Sequence, residues 1–200
     1  MKRFNLILIE AGLIACLATA CVNVNKAKQN LVTFDFGLFS PDDNQQSITS
    51  KIFWEKPSAI EALEHHKIRY RLNYLNPSRV YFYTESRWAT TPSDLLSSRA
   101  SQLIKFTRIT GNCTLKLKIE AFDHVFHTSQ NSDGVVQLNA LILDKRSHRP
   151  VARELFTKSF ASASSDAKGG VAALKLASDT ALREVVDWSN SVFKMNEVCQ

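Results

Sequence analysis

The chain has 200 residues, of which 44% are hydrophobic and 22% are charged, and its formal net charge at pH 7 is +6. These values are typical of one globular domain and exclude a predominantly disordered chain. The basic surplus contains no run of lysine and arginine, which argues against nucleic-acid binding. Beyond residue 21 no apolar run is long enough to span a bilayer.

The N-terminal segment is organised as a bacterial secretion signal that ends in a lipid-modified cysteine. A basic start, Met1-Lys2-Arg3, precedes an apolar stretch and small residues. Two cysteines are candidates for acylation, and Cys16, after Leu13-Ile14-Ala15, fits the lipobox preferences more closely than Cys21. Glu10 nevertheless favours Cys21, because acylation of Cys16 would leave this carboxylate inside the apolar region at a cost of roughly 3 kcal/mol.

Cleavage before Cys21 divides the chain into a signal peptide over residues 1–20, a flexible tether over 21–31 and a single domain over 32–200. An uncleaved anchor and secretion without a lipid are the alternatives. Acylation of Cys21 would leave Cys113 and Cys199 as a pair in an oxidising compartment. The sequence leaves open whether they form a disulfide, since pairing requires Cα atoms within about 7 Å.

The first half of the domain shows short strand patterns followed by a strong helix start. Alternation of apolar and polar residues predicts strands over 32–38, 52–54, 68–74 and 80–84, with one or two helical turns over 57–64. The last two strands flank the turn Asn76-Pro77-Ser78 and are expected to form a hairpin. Thr91-Pro92-Ser93-Asp94 supplies a capping hydroxyl, a first-turn proline and an acid, which predicts a helix from Pro92 to about Arg108.

The second half predicts three consecutive strands, over 115–126, 136–142 and 151–160, whose short links imply antiparallel pairing. The apolar face of the first of these strands changes phase near Ala121–Phe122, which predicts a β-bulge. A final helix is expected over 167–192. Its Gly169-Gly170 pair would let the helix start close to the sheet.

The titratable residues predict neither catalysis nor metal binding, and we expect no cofactor. His124 and His127 lie three apart on a strand and should face opposite sides, and the G-x-S-x-G and P-loop patterns are absent. The aromatic residues are more informative, because tyrosine, tryptophan and arginine are enriched at protein interfaces. They predict a partner-contact surface on the hairpin, although core packing of some members is an alternative; the candidates are Tyr70, Tyr81, Tyr83, Arg87 and Trp88.

Several motifs, in order along the chain, resemble the ABC-type transport auxiliary lipoprotein family, which includes the paraquat-inducible lipoproteins. The matching segments are Phe34-Asp35-Phe36-Gly37, Ile68-Arg69-Tyr70-Arg71-Leu72, Ser86-Arg87-Trp88-Ala89 with Pro92 and Leu95-Leu96, and the run from Ala167-Lys168-Gly169-Gly170 to Leu174. The resemblance covers almost the whole predicted domain, and the arginine–tryptophan–alanine segment is its most specific part.

The resemblance implies an α/β fold similar to anticodon-binding domains and to the N-terminal part of TolB. In that fold a mixed, largely antiparallel sheet of about five strands lies between helices in three layers. It also implies a periplasmic lipoprotein that works with an MCE-domain protein and an ABC permease and ATPase to move lipids between membranes. A homo-oligomer and phospholipid contact are compatible with it. Val22 after the acceptor cysteine favours the outer membrane of a Gram-negative cell.

Two other functions are compatible with the same sequence. One is a structural or assembly adaptor of the cell envelope that is not tied to a transporter. The other is a periplasmic hydrolase, which would require a deep pocket with a paired acid and base.

Overall fold

A computed structural model describes residues 31–38, 48–106 and 111–200. The candidate acceptors Cys16 and Cys21, the predicted signal peptide and most of the predicted tether lie outside the described residues. From Leu31 to Gln200 the chain forms one compact unit.

Ten strands occur in the described part of the chain. They are β1 (Val32–Phe34), β2 (Ile48–Ser50), β3 (Phe53–Trp54), β4 (Ser58–Ala59), β5 (Lys67–Leu72), β6 (Tyr81–Trp88), β7 (Ile104–Phe106), β8 (Cys113–Phe126), β9 (Ser132–Asp144) and β10 (Pro150–Ala161). Two α-helices, α1 (Pro92–Leu103) and α2 (Ala167–Met195), and two short 3-10 helices, Glu61–Leu63 and Glu197–Cys199, complete the fold.

Eight of these strands form one mixed sheet, which is larger than the predicted five. The main path is β1-β6-β5-β8-β9-β10, and the short strands β3 and β4 also pair with β8. The long pairings β5–β6, β8–β9 and β9–β10 are antiparallel, whereas β1–β6, β5–β8, β3–β8 and β4–β8 are parallel. β2 and β7 form a separate parallel pair.

The predicted hairpin and the predicted β-bulge are both confirmed. β5 and β6 pair antiparallel around the turn. In β8 the register against β9 shifts between Ile119 and Ala121, where the apolar pattern changes phase. Because of the bulge, Leu115 and Ile119, which precede it, and Phe122, which follows it, all reach the core.

The first helix begins where it was predicted and ends earlier. The Thr91 hydroxyl accepts the Asp94 amide at 3.3 Å, and Pro92 occupies the first turn. The helix stops at Leu103 and not near Arg108, because Ile104–Phe106 continues as β7 and pairs with β2. Burial of Ile104 and pairing of this segment with β2 outweigh helix continuation.

The two helices form a single layer on one face of the sheet. α2 covers β8, β9 and β10, and the guanidinium of Arg99 on α1 binds the carboxylate of Asp179 on α2 through two hydrogen bonds. On β9, residues facing α2 are buried, while the alternate residues remain partly exposed. The described residues therefore form two layers, which corrects the predicted three.

The helix layer lies very close to the sheet near the start of α2. A Cβ on Gly170 would lie 2.4 Å from Nδ1 of His124, and a Cβ on Gly134 of β9 would lie 2.4 Å from the Leu174 amide nitrogen. Both positions therefore require glycine because of a close approach. The prediction that the glycine pair lets α2 start against the sheet holds at Gly170.

Candidate functional site

The β5–β6 hairpin presents aromatic and cationic side chains at its turn and on the strand ends beside it, and two of them, Tyr70 and Tyr81, are among the candidates predicted from sequence. The rings of Tyr70 and Tyr81 stack with centroids 5.2 Å apart, and the Arg79 guanidinium lies 4.8 Å from the centre of the Tyr81 ring. At the tip, Tyr74 is 46% exposed and Leu75 is 66% exposed. We call these five residues the hairpin surface.

Several hydrogen bonds fix the conformation of this turn. The Asn73 amide donates to the Phe126 carbonyl at 2.9 Å, and the Arg71 guanidinium donates to the Pro77 carbonyl at 3.1 Å. The Asn76 side chain accepts the Ser78 amide at 3.0 Å. A rigid support of this kind lowers the conformational entropy that a partner would have to remove on binding.

Tyr83 points inward from the same hairpin and joins a buried hydrogen-bond chain. Its hydroxyl lies 2.8 Å from Nδ1 of His124, whose Nε2 lies 2.8 Å from the Ser132 hydroxyl. Burial raises the pKa of Tyr83 well above its usual range. Burial lowers the pKa of His124 to about 4, with the charges of Asp166 and Asp133 acting in the opposite direction.

A serine beside a histidine can form a nucleophile–base pair, so Ser132 and His124 are the residues to weigh for hydrolysis. His124 is 0% exposed and Ser132 is 2% exposed. Gly170 of α2 closes over the imidazole, since even a methyl group there would collide with the ring. Ser132 and His124 are therefore part of the buried packing between the sheet and α2, and the serine hydroxyl is enclosed by the protein.

A second buried network lies on the opposite face of the sheet and was not anticipated. Oδ2 of Asp123 accepts hydrogen bonds from Arg71 Nε at 2.9 Å and from Arg69 at 3.3 Å. Arg69 Nε lies 2.8 Å from the other carboxylate oxygen, but its N–H is not aimed at that oxygen. The Asp123 side chain is only 3% exposed, so two cations share one buried anion.

Trp88 does not belong to a contact surface, which corrects one of the five candidates. It is 1% exposed and packs edge-on against Phe36, with Phe122 as a second neighbour. Arg87 is exposed, and its Nε donates to the Thr33 hydroxyl at 3.3 Å. Arg87 therefore stays accessible beside the hairpin surface, and Leu75 is the member of that surface that the aromatic and cationic pattern did not indicate.

Cys113 and Cys199 form a disulfide, with Cα atoms 4.8 Å apart. Both cysteines are buried, and the bond ties the C-terminal 3-10 helix to the start of β8.

Within residues 31–38, 48–106 and 111–200, no helix has both the length and the apolar character needed to cross a membrane.

Comparison with known proteins identifies relatives by fold only. No family model and no curated protein matches this chain. The crystal structure of a Xanthomonas campestris protein assigned to the DUF330 family superposes with a TM-score of 0.64 and 22% identity, covering 82% of this chain and 93% of that one. An uncharacterised protein superposes with a TM-score of 0.54 and 10% identity, over 80% and 97% of the two chains.

A presumptive lipoprotein from Caulobacter crescentus CB15 aligns over 52% of this chain and 81% of its own, with 13% identity and a TM-score of 0.36. A similarity this weak carries no argument. At 22% and 10% identity, the two better matches show that the mixed α/β architecture is shared, and they leave the activity of this chain undetermined.

Proposed function

We propose that this chain is a lipid-anchored accessory subunit of an MCE-type ABC transporter that moves lipids between membranes. Cys21 carries the acyl chains, with Cys16 as the alternative acceptor. The domain faces the periplasm of a Gram-negative cell, from the outer membrane. It works by contact with an MCE-domain protein and the permease and ATPase, and it catalyses no reaction.

The hairpin surface is the observation that carries this proposal. It presents two stacked tyrosines, an arginine and an exposed leucine on a turn held by several hydrogen bonds. Tyrosine and arginine are among the residue types that dominate binding energy at protein interfaces. The enclosed Ser132–His124 pair supports a contact role over hydrolysis, and the family resemblance supports an MCE system as the partner.

Stable membrane attachment is a separate requirement of the proposal. Each buried CH₂ of an acyl chain adds about 0.8 kcal/mol, and more than one chain is needed to hold a protein at a bilayer. A triacylated cysteine satisfies this requirement. Metabolic labelling with palmitate should therefore mark the wild-type chain and the Cys16→Ser variant, and should fail with Cys21→Ser. Labelling that is lost only with Cys16→Ser would move the anchor to residue 16.

Co-purification from native membranes tests the partner. The tagged full chain should retain the MCE protein together with the permease and ATPase. Tyr74→Asp combined with Leu75→Asp should reduce that recovery at least about tenfold, because a charge placed in an apolar contact is costly. Leu155→Asp on β10 is the matched control, since Leu155 is also exposed but lies away from the hairpin.

Two results would overturn the proposal. Recovery of envelope assembly proteins without any transporter subunit would favour the structural adaptor. Turnover of an ester or peptide substrate by the purified chain, lost in Ser132→Ala, would favour the hydrolase.

A further inference from the structure

A groove lies between β1 and the first two turns of α2, away from the hairpin surface. It encloses about 360 Å³, which is at the small end of the range for ligand sites. Five consecutive residues of the β1 segment form one wall and four residues of α2 form the other; they are Thr33, Phe34, Asp35, Phe36 and Gly37, and Lys168, Val171, Ala172 and Lys175.

The strand wall is the edge of the sheet. Among the described strands, β6 is the one that pairs with β1, and no described strand lies along its other side. In an extended chain alternate side chains point to opposite faces, so a groove lined by five consecutive residues runs along the backbone edge. Beyond β1 the chain turns away at Gly37, which has a φ of 71° and whose amide donates to the Asp35 carboxylate at 2.8 Å.

The backbone of Thr33 faces this open edge. The Phe34 carbonyl accepts the Ala89 amide at 2.7 Å and therefore faces β6. In a parallel pair, both backbone groups of a residue point toward the same neighbour and the groups of the next residue point away. The Thr33 N–H and C=O therefore point into the groove, where a strand laid beside β1 would meet them.

The helix wall matches an added strand in length and chemistry. Its four residues form one stripe of α2 that covers about 10 Å, the length of roughly three residues of extended chain. Val171 and Ala172 form the apolar middle, and Lys168 and Lys175 stand at the two ends. The strand wall contributes one carboxylate, Asp35, which already accepts the Gly37 amide, so the groove has a net positive charge. Two cations at opposite ends fit an extended segment with two carboxylates better than an amphiphile with a single anionic head.

Within the part of the chain that the structure describes, the edge has little of the usual protection against pairing. Native edge strands are commonly blocked by lysine, proline or a covering element. Here Leu31, Val32 and Leu38 are exposed large apolar residues beside the groove, and β1 itself contains neither lysine nor proline. An exposed apolar edge next to a preformed groove is the arrangement used for recognition by strand addition.

We propose that this groove binds an extended acidic segment of a partner protein, which adds to the edge of β1 as a further strand. Its backbone pairs with Thr33, its apolar side chains contact Val171 and Ala172, and its carboxylates pair with Lys168 and Lys175. This inference does not depend on the transport role proposed above, because its test uses peptides and needs no transporter subunit.

The test is selection of ten-residue peptides from a phage-displayed library on the purified full chain. We expect enrichment of alternating sequences with aspartate or glutamate between apolar residues, and slower hydrogen exchange at the Thr33 amide on binding of the synthesised peptide. Thr33→Pro should weaken that binding at least about tenfold, because proline removes the donor that faces the groove. Thr33→Val is the matched control, since it loses the same hydroxyl and keeps the N–H.

A second pair of variants covers the case in which Thr33→Pro does not fold. Lys168→Glu with Lys175→Glu should weaken peptide binding at least about tenfold, whereas Lys105→Glu, an exposed lysine on β7, should change it less than about twofold. The proposal is overturned if no peptide is enriched, if Thr33→Pro and Thr33→Val bind equally, or if dodecanoate binds the groove while peptides do not.

Discussion

The hydroxyl of Tyr83 lies 2.8 Å from Nδ1 of His124, and this contact joins the β5–β6 hairpin to the strand beneath α2. His124 is completely buried, and its other nitrogen is bonded to Ser132. The imidazole is thus held on both sides in a place where a positive charge is costly. The protonation state of one side chain is therefore coupled to the packing of three elements, the hairpin, β8 and α2.

Stability should consequently fall as the solution is acidified. The pKa of His124 is lowered to about 4 in the fold, against 6.5 for an ordinary histidine. Below pH 6.5 the unfolded chain binds a proton that the folded chain excludes, so stability is lost as pH falls toward 4. Urea denaturation at pH 7.0 and pH 4.5 should show a loss of about 2–3 kcal/mol from this group.

Histidine variants distinguish His124 from the other titrating groups. His124→Asn should be less stable at pH 7 and should lose most of the decrease between pH 7.0 and pH 4.5. His127→Asn should retain the decrease, because His127 is exposed at the end of β8. Hydrogen bonds lower the pKa values of Asp94, Asp144 and Asp166, so the stability that these carboxylates contribute is lost mainly below this interval. An unchanged slope in His124→Asn would contradict the assignment.

The elements that could be predicted from sequence are those with strong local signals. β8, β9 and β10 have long alternating patterns, and α1 begins with a hydroxyl cap followed by proline, so all four were expected close to their observed positions. β3 falls within the strand predicted over 52–54, whereas β4 has only two residues, too few for any period to appear, and lies where helical turns were predicted over 57–64. Their pairing with β8 depends on residues about 60 positions away in the chain, as in Ser58 with Lys118.

The misplacement of Trp88 has a geometric cause. Tyr81 pairs with Tyr70, but Arg87 pairs with Lys67, so β6 uses seven residues where β5 uses four. This irregularity changes which side chains of β6 face the core, and Trp88 joins Phe36 and Phe122 there. The hairpin could be predicted from its turn residues, whereas the extra residues in β6 produce no recognisable pattern in the sequence.

The Cys113–Cys199 disulfide should contribute substantially to stability. It joins residues 86 positions apart, and in the chain-entropy account a cross-link over so long a loop strongly restricts the unfolded state. We expect reduction of the wild-type chain to lower its free energy of unfolding by about 2–4 kcal/mol in urea titrations. Cys199→Ser should show the lowered value with or without reductant. Equal stability of the oxidised and reduced wild type would refute this expectation.

Asp123 should be much more sensitive to substitution than an exposed carboxylate. Asp123→Asn keeps the shape of the side chain but leaves Arg69 and Arg71 without their anion, and loss of one partner in a buried pair costs about 3–5 kcal/mol. The control is Glu55→Gln, which makes the same chemical change in an exposed pair with Lys116 and should cost less than about 1 kcal/mol. Similar losses of unfolding free energy in the two variants would show that the buried network stabilises the fold no more than an exposed ion pair does.

Gly170 should not tolerate even an alanine, although alanine is favoured over glycine by about 1 kcal/mol inside a helix. The added methyl would lie 2.4 Å from Nδ1 of His124, and the ring cannot swing away without breaking its bonds to Tyr83 and Ser132. We expect Gly170→Ala to lower the free energy of unfolding by about 1–3 kcal/mol, as overpacking usually does. A double-mutant cycle identifies the cause, because His124→Ala removes the ring and makes room for the methyl. In that background Gly170→Ala should become neutral or stabilising, and an equal loss in both backgrounds would exclude the collision as its origin.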